Sequence, residues 1–210
     1  MARANPKAAN DAPRDAIALL KQDHRVVEKL FEEFEDADDD ELQAIAERVC
    51  QLLTVHAQIE EELLYPQALD ALEGEEEIEL VHEADIEHQT AKDLIAKIEG
   101  MASEDERFKA TVTVLSEYIK HHVKEEENEL FPKLKKTELD LKEMGVQLFE
   151  RKMQLMQSMG IEMESEEELP TTRKRTSGRS GRSTGAKRSQ ARAGQRKKSA
   201  SSKSRSSTRH

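Results

Sequence analysis

The segment His56-Ala57-Gln58-Ile59-Glu60-Glu61, which leads to Leu64-Tyr65-Pro66, decides how this chain folds, because its pattern occurs twice. The second copy is His122-Val123-Lys124-Glu125-Glu126-Glu127, which leads to Leu130-Phe131-Pro132. In each copy a glutamate follows the histidine by four residues and a proline follows it by ten. Positions i and i+4 of a helix lie on one face, about one turn apart. An imidazole nitrogen and a carboxylate oxygen held there can bind one metal ion or bridge two.

The wider sequence predicts an all-α protein. Apolar residues recur at steps of three and four, whereas the alternation typical of strands is nearly absent. We predict helices over residues 14–36, 41–73, 75–99, 103–132 and 138–159, with Pro66 kinking or ending the second. Gly74 and Gly100 are predicted C-terminal caps, and Ser103 with Glu106 matches a capping box. Similar helix lengths and short connections favour an antiparallel up-down-up-down four-helix bundle, followed by an additional C-terminal helix.

An internal repeat supports this bundle. His24 and His56 recur as His88 and His122, at offsets of 64 and 66 residues. Each of the four histidines falls in the apolar stripe of its own predicted helix. A duplicated helix pair would build a bundle with approximate two-fold symmetry and place the four imidazoles at one level.

Glu60 and Glu126 make metal binding the preferred interpretation. A buried carboxylate costs several kcal/mol unless it is paired or bound to a cation. One buried histidine is ordinary, and one glutamate at i+4 on an acidic helix could belong to a solvated face. Two matched copies with two further histidines in register are hard to explain in that way. Imidazole and carboxylate ligands suit iron or manganese, and zinc less exclusively, while six candidate ligands indicate two ions.

These residues resemble the bacterial hemerythrin-like (HHE cation-binding) family over about Asp15 to Leu134. The resemblance rests on Asp23-His24, His56 with Glu60-Glu61 and Tyr65-Pro66, Glu87-His88, and His121-His122 with Glu125-Glu126 and Phe131-Pro132. It implies a four-helix bundle with a non-haem di-iron site. By that resemblance the terminal ligands are His24, His56, His88 and His122, and the bridging carboxylates are Glu60 and Glu126.

One position departs from the oxygen-carrying members of that family, which have a second histidine one turn before the first on the third helix. Here that position is Ala84, which argues against simple oxygen carriage and for a more open site. His82 lies off the ligand face and is a weak candidate ligand. Asp85 and Tyr118, one turn from His88 and His122, are expected as supporting groups or minor ligands. His121 is expected at the surface.

Charge divides the chain into an acidic body and a basic tail. Residues 170–210 hold 14 Lys and Arg and no Asp or Glu, so the remainder carries a formal charge of −25 within the net charge of −11. A segment of this composition cannot bury enough apolar surface to fold. It can bind DNA or RNA through phosphates without sequence preference, or fold over its own acidic body. The predicted organisation is a disordered 1–13, a bundle over 14–136, a helix over 137–160 and a disordered linker and tail over 161–210.

Composition also bounds the compartment and the function. The single cysteine, Cys50, excludes an internal disulfide and fits a reducing cytoplasm. If the tail binds DNA, part of the protein is expected on the nucleoid. The sequence has neither a membrane-spanning apolar run nor a secretory signal at its start. We therefore expect a di-iron protein that binds dioxygen or a related small molecule, in oxygen or redox sensing, iron handling or stress response. The alternatives are a nucleic-acid-associated protein and an enzyme acting on peroxide or nitric oxide.

Overall fold

The computed structural model of the protein describes residues 14–161, and every regular element in that range is helical. The helices are α1 (Ala16–Asp36), α2 (Leu42–Ile59), α3 (Tyr65–Ala71), α4 (Glu75–Glu99), α5 (Phe108–Glu125), α6 (Phe131–Leu134) and α7 (Leu141–Ser158). The all-α prediction is therefore confirmed for this range. The predictions for residues 1–13 and 162–210 lie outside the described residues.

Two π-helical turns continue the chain through the two prolines. The first π-turn (Glu60–Leu64) joins α2 to α3, and the second π-turn (Glu126–Leu130) joins α5 to α6. In each turn an amide bonds five residues back, from Tyr65 to Glu60 and from Phe131 to Glu126. The wider turn inserts one residue just before a proline that has no amide hydrogen to donate. The predicted continuation of the helix past Pro66 is confirmed, and it ends at Ala71.

The helices pack as two pairs that meet each other. Helix α1 contacts α2, α4 contacts α5, and further contacts join α2 to α4 and α1 to α5. These neighbours are the ones that a four-helix bundle requires, although the up-down-up-down order stays a prediction. Two apolar clusters form the core, one containing Leu20, Leu64 and Phe131 and the other containing Val27, Leu53 and Phe108. Along α1 and α4, the buried histidine falls between residues of the two clusters.

Two predicted helix ends were wrong. Gly74 is the N-cap of α4, in an extended conformation (φ −83°, ψ 136°). Helix α3 ends at Ala71, and its C-cap is Leu72. Ser103 and Glu106 do not form a capping box, because the Ser103 hydroxyl donates to Glu104 and α5 begins only at Phe108. Short polar side chains there bond to neighbours in turns, which competes with an earlier helix start.

Helix α7 is tied to the same body. It packs on α1, α2 and the first π-turn. Its Lys152 donates to Asp23 of α1, and its Arg151 makes two bonds to Glu62 at 2.6 and 3.0 Å. The Ile161 side chain, which follows α7, is buried against the core.

The approach of α7 to α1 leaves no room for a side chain at Gly145. A Cβ atom at this position would lie 2.7 Å from the backbone nitrogen of Ala16 and from the carbonyl carbon of Asp15. We expect Gly145→Ala to lower the free energy of unfolding by about 1–3 kcal/mol, measured by urea denaturation, because backbone must shift to admit the methyl group.

Gly100→Ala is the matched control, since a Cβ atom there would lie 3.5 Å from its nearest neighbours. Equal stability of the two variants would contradict the close packing of α7 on α1.

Candidate metal centre

All six residues predicted as ligands lie together in the interior. The histidines come from α1, α2, α4 and α5, and each glutamate opens a π-turn directly after its helix. Each of the six is at most 6% exposed. The residues are His24, His56, Glu60, His88, His122 and Glu126.

The four imidazoles form two facing pairs. Nε2 of His24 lies 3.2 Å from Nε2 of His56, and Nε2 of His88 lies 3.2 Å from Nε2 of His122. Each pair therefore joins two helices of one repeat and directs two ring nitrogens at one point.

Each buried glutamate contacts both histidine pairs. Oε2 of Glu60 lies 3.1 Å from Nε2 of His56 and 3.4 Å from Nε2 of His88. Oε2 of Glu126 lies 3.3 Å from Nε2 of His24 and 3.6 Å from Nε2 of His122. The two carboxylates thus lie between the pairs, where they could bridge two ions.

The outer nitrogen of every imidazole faces a second carboxylate. The Nδ1–O distances lie between 2.8 and 3.6 Å. The pairs are His56 with Asp23, His88 with Glu61, His122 with Glu87, and His24 with Glu127. A carboxylate in that position favours the tautomer with hydrogen on Nδ1 and leaves the inward Nε2 as a lone pair, the arrangement of metal-binding histidines.

The donor set fits a pair of cations. In that tautomer two Nε2 lone pairs face each other at 3.2 Å, an arrangement that a shared cation stabilises. Both oxygens of Glu60 and Oε2 of Glu126 are buried without a hydrogen bond of good geometry among the described residues. The candidate ligand atoms form two groups, and Glu60 belongs to both. Within each group the atoms lie within 4.8 Å of one another. The groups are His24, His56, Glu60 and Glu126, and Glu60, His88 and His122.

Two comparisons bear on the family and the fold. The family model of the hemerythrin HHE cation-binding domain matches residues 15–134. The chain belongs to this family. A crystal structure of an HHE cation-binding domain-containing protein from Mycobacterium kansasii has a similar fold, with a TM-score of 0.59, 23% identity and coverage of 69% of this chain and 88% of that one.

A sequence relative is named differently. A protein of Nostoc sp. named DNA nickase is 30% identical over 114 residues, which are 54% of this chain and 31% of that protein. The HHE chain therefore spans about a third of the relative's length.

Burial and charge oppose each other in setting the pKa values of this HHE site. Burial alone would lower the pKa of His56, but the charge of Glu60 and the close contacts of the ring with Asp23 and Glu60 outweigh it and raise the pKa to about 10. The pKa of His88 rises to about 9 because its bonds with Glu60 and Glu61 likewise outweigh burial. Burial alone would raise the pKa of Glu60, but the charge of His56 and the close contacts of its carboxylate with His56 and His88 hold the pKa well below its usual range.

Tyr65 is a site residue that sequence reasoning missed. Its hydroxyl donates to Oε1 of Glu126 at 3.1 Å and lies 3.3 Å from Nε2 of His88. Phe131, the equivalent residue of the second repeat, stacks on His24 at a centroid distance of 6.0 Å. The available signal was the difference between Tyr65-Pro66 and Phe131-Pro132 in otherwise matched copies. The two halves of the site therefore differ by one hydroxyl group.

The weaker candidates lie away from the centre. His82 and Asp85 are exposed and Tyr118 is half-buried, so the supporting roles expected for Asp85 and Tyr118 belong to other carboxylates. His121 is at the surface, as expected, with 58% of its side chain exposed. Ala84 is buried. It lines a cavity of about 10 Å³ together with Leu80, Glu87, Glu125, Glu126 and Leu130.

A second cavity adjoins the four histidines. It has a volume of about 20 Å³ and is otherwise lined mainly by apolar residues, including Val27, Leu53, Ala91, Ile95 and Ile119. A cavity of this size holds about one water-sized molecule. The space beside the four histidines therefore suits a small molecule better than a larger substrate.

Metal uptake should displace protons from His56 and His88. At pH 7 both imidazoles are protonated in the metal-free protein, since their pKa values are about 10 and about 9. A ligand histidine must be neutral, so we expect release of about two protons at pH 7, and fewer as the pH approaches 10. An anaerobic Fe²⁺ titration in a pH-stat measures this release.

The same shifts set the stability of the metal-free protein. Because the pKa of His56 is raised on folding, its contribution is complete below about pH 6.5 and is lost as the pH rises towards 10. Uptake of Fe²⁺ without proton release at pH 7 would contradict the binding of metal by initially protonated His56 and His88.

The outer carboxylates should tune metal affinity. Glu61→Gln removes the charge that faces Nδ1 of His88 at 3.1 Å, and loss of such a partner typically weakens metal binding by 10–100-fold. We expect that loss in a competition titration against a chelator. Glu62→Gln is the matched control, because Glu62 bonds Arg151 and points away from the histidines. Equal losses in both variants would contradict the role assigned to Glu61.

Proposed function

We propose that this protein holds two iron ions in a hemerythrin-like site and uses them to bind dioxygen or a related small molecule. The role that follows is in oxygen or redox sensing, iron handling or stress response. One observation carries the proposal: Glu60 and Glu126 each lie between the two histidine pairs, at 3.1–3.6 Å from a nitrogen of each. Manganese and zinc are the less favoured ions.

The ligand assignment follows from this arrangement. His24 and His56 would bind one ion, His88 and His122 the other, and Glu60 and Glu126 would bridge them. The underlying architecture is an antiparallel four-helix bundle with α7 against one side. Iron bound there supplies the capacity to bind or reduce a small oxygen or nitrogen species.

The chain's own residues shape that chemistry. The cavity beside the histidines limits the ligand to a few atoms and surrounds it with apolar side chains. Tyr65 presents a hydroxyl to Glu126 and His88, so it can hold a proton next to that half of the site. Because residue 84 is an alanine, α4 offers no ligand atom at the place where it faces the second π-turn. These features favour sensing or turnover of a small molecule over reversible oxygen carriage.

Metal analysis of the purified full-length protein tests the proposal. We expect about two iron ions per chain and the absorption bands of an oxo-bridged di-iron centre, since six candidate ligands lie together in the interior. His56→Ala and His122→Ala should each lose iron and the bands. His82→Ala, at an exposed histidine, is the control. Full iron content in both ligand variants would refute the assignment.

A second candidate function concerns nucleic acid. It is supported by the 14 Lys and Arg of residues 170–210 and by the Nostoc relative named DNA nickase. Backbone phosphates would be the target, because the segment has no aromatic residue for stacking on bases. The iron site would then act near DNA, and the location would be the cytoplasm with part of the protein on the nucleoid.

Within residues 14–161 no helix is both long and apolar enough to cross a bilayer.

Binding of duplex DNA by the full-length protein and by a chain truncated at residue 169 tests this candidate. We expect binding that requires the tail and weakens steeply with salt, because phosphate contacts release counterions. Equal and salt-insensitive binding by both chains would reject it. Conversion of supercoiled plasmid to open circles, measured in parallel with hydrogen peroxide consumption, separates a catalytic role from binding alone.

A further inference from the structure

One corner of the metal centre differs from the other three. The four outer carboxylates face the histidines in the same way, and three of them also bind a lysine. Those pairs are Asp23 with Lys152, Glu61 with Lys92, and Glu127 with Lys21. At the fourth corner, Glu87 binds His122 through Oε2 at 2.8 Å, and its Oε1 lies 3.8 Å from Nε2 of His121. The partners of Glu87 at this corner are therefore two histidines, His121 and His122.

The fourth corner carries excess negative charge. His121 also lies 3.1 Å from Oε1 of Glu125, so two carboxylates surround one exposed imidazole. At the other corners a lysine neutralises the outer carboxylate. The two carboxylates, Glu87 and Glu125, together bring a formal charge of −2 to this corner. One nitrogen and two carboxylate oxygens lie within 4.8 Å of one another there, a spacing that suits a divalent cation.

A gap leads from this corner towards the buried ligands. The cavity of about 10 Å³ is lined by Glu87 and Glu125 on the outer side and by Glu126 on the inner side. Glu126 is 1% exposed, and its Oε2 has no hydrogen-bond partner among the described residues. Ala84 lines the same gap, where a longer side chain would fill it. The cavity is about the size of one water molecule. It could therefore hold a single metal ion only after that ion has lost most of its bound water.

We propose that His121, Glu125 and the outer oxygen of Glu87 form a surface site for a divalent cation, from which iron passes the gap beside Ala84 to the buried centre. The cation takes the place that a lysine holds at the other three corners. Glu87 then bonds the entering ion through one oxygen and His122 through the other. The loading role rests on the proposed di-iron function, whereas the surface site does not depend on it.

Two variants and one control test the surface site. His121→Ala and Glu125→Gln remove outer ligands while leaving every buried ligand in place, and surface changes of this kind seldom alter stability by more than about 0.5 kcal/mol. His82→Ala removes another exposed histidine, on α4, and is the matched control. All experiments use the full-length protein.

The first measurement is the rate of Co²⁺ uptake, followed by visible absorption. Both variants remove a ligand of the surface site, and Glu125→Gln also weakens the local negative field that raises the arrival rate of cations. We therefore expect uptake by the buried sites about tenfold slower in both variants, with an unchanged final content of those buried sites. The second measurement counts Mn²⁺ by electron paramagnetic resonance after the tight sites are filled. One weaker ion should bind the parent and His82→Ala and be lost in both variants.

The outcomes separate this inference from the di-iron proposal. Unchanged uptake rates and unchanged Mn²⁺ counts in the variants would overturn the surface site and leave the di-iron proposal intact. A His121-dependent Mn²⁺ ion in a protein that never takes up two tight ions would support the surface site, reject its loading role and refute the di-iron proposal.

Discussion

The rest of the structure depends on the burial of two carboxylates among four imidazoles. Glu60 is 0% and Glu126 is 1% exposed, and charges at that depth are costly without compensation. In the metal-free protein, compensation comes from protonated His56 and His88, whose pKa values are raised for this reason. A divalent metal bound by these nitrogens would therefore compete with protons.

The surrounding layers follow from that constraint. Four outer carboxylates set the direction of the imidazoles, and lysines neutralise three of them. Helix α7 contributes one of these lysines, which links the additional helix to the ligands through Asp23. The π-turns place Glu60 and Glu126 at the point where each helix gains an extra residue. A metal centre, a helix irregularity and an added helix thus form one connected arrangement.

Much of the fold and site could be predicted from the sequence, because both depend on helical periodicity. The steps of three and four placed His24, His56, His88 and His122 on buried stripes, and the i+4 spacing added the glutamates. The residues at which the helices begin and end were harder to predict from the sequence. Ser103 and Glu106 match a capping box by spacing, but spacing does not reveal that Ser103 bonds its neighbour instead. Likewise a proline at ten residues from a histidine does not by itself indicate a π-turn.

The outer groups were missed because they act between helices. Asp23 faces His56 and Glu61 faces His88 only once α1, α2 and α4 have packed, so stripe periodicity selected Asp85 and Tyr118 instead. Tyr65 was hidden in a motif whose other copy has phenylalanine.

The most direct test of the central claim is anomalous diffraction at the iron edge from crystals of the iron-loaded protein. We predict two peaks about 3.5–4 Å apart, each next to one histidine pair, with Glu60 and Glu126 between them. A single peak, or peaks away from these carboxylates, would contradict the account.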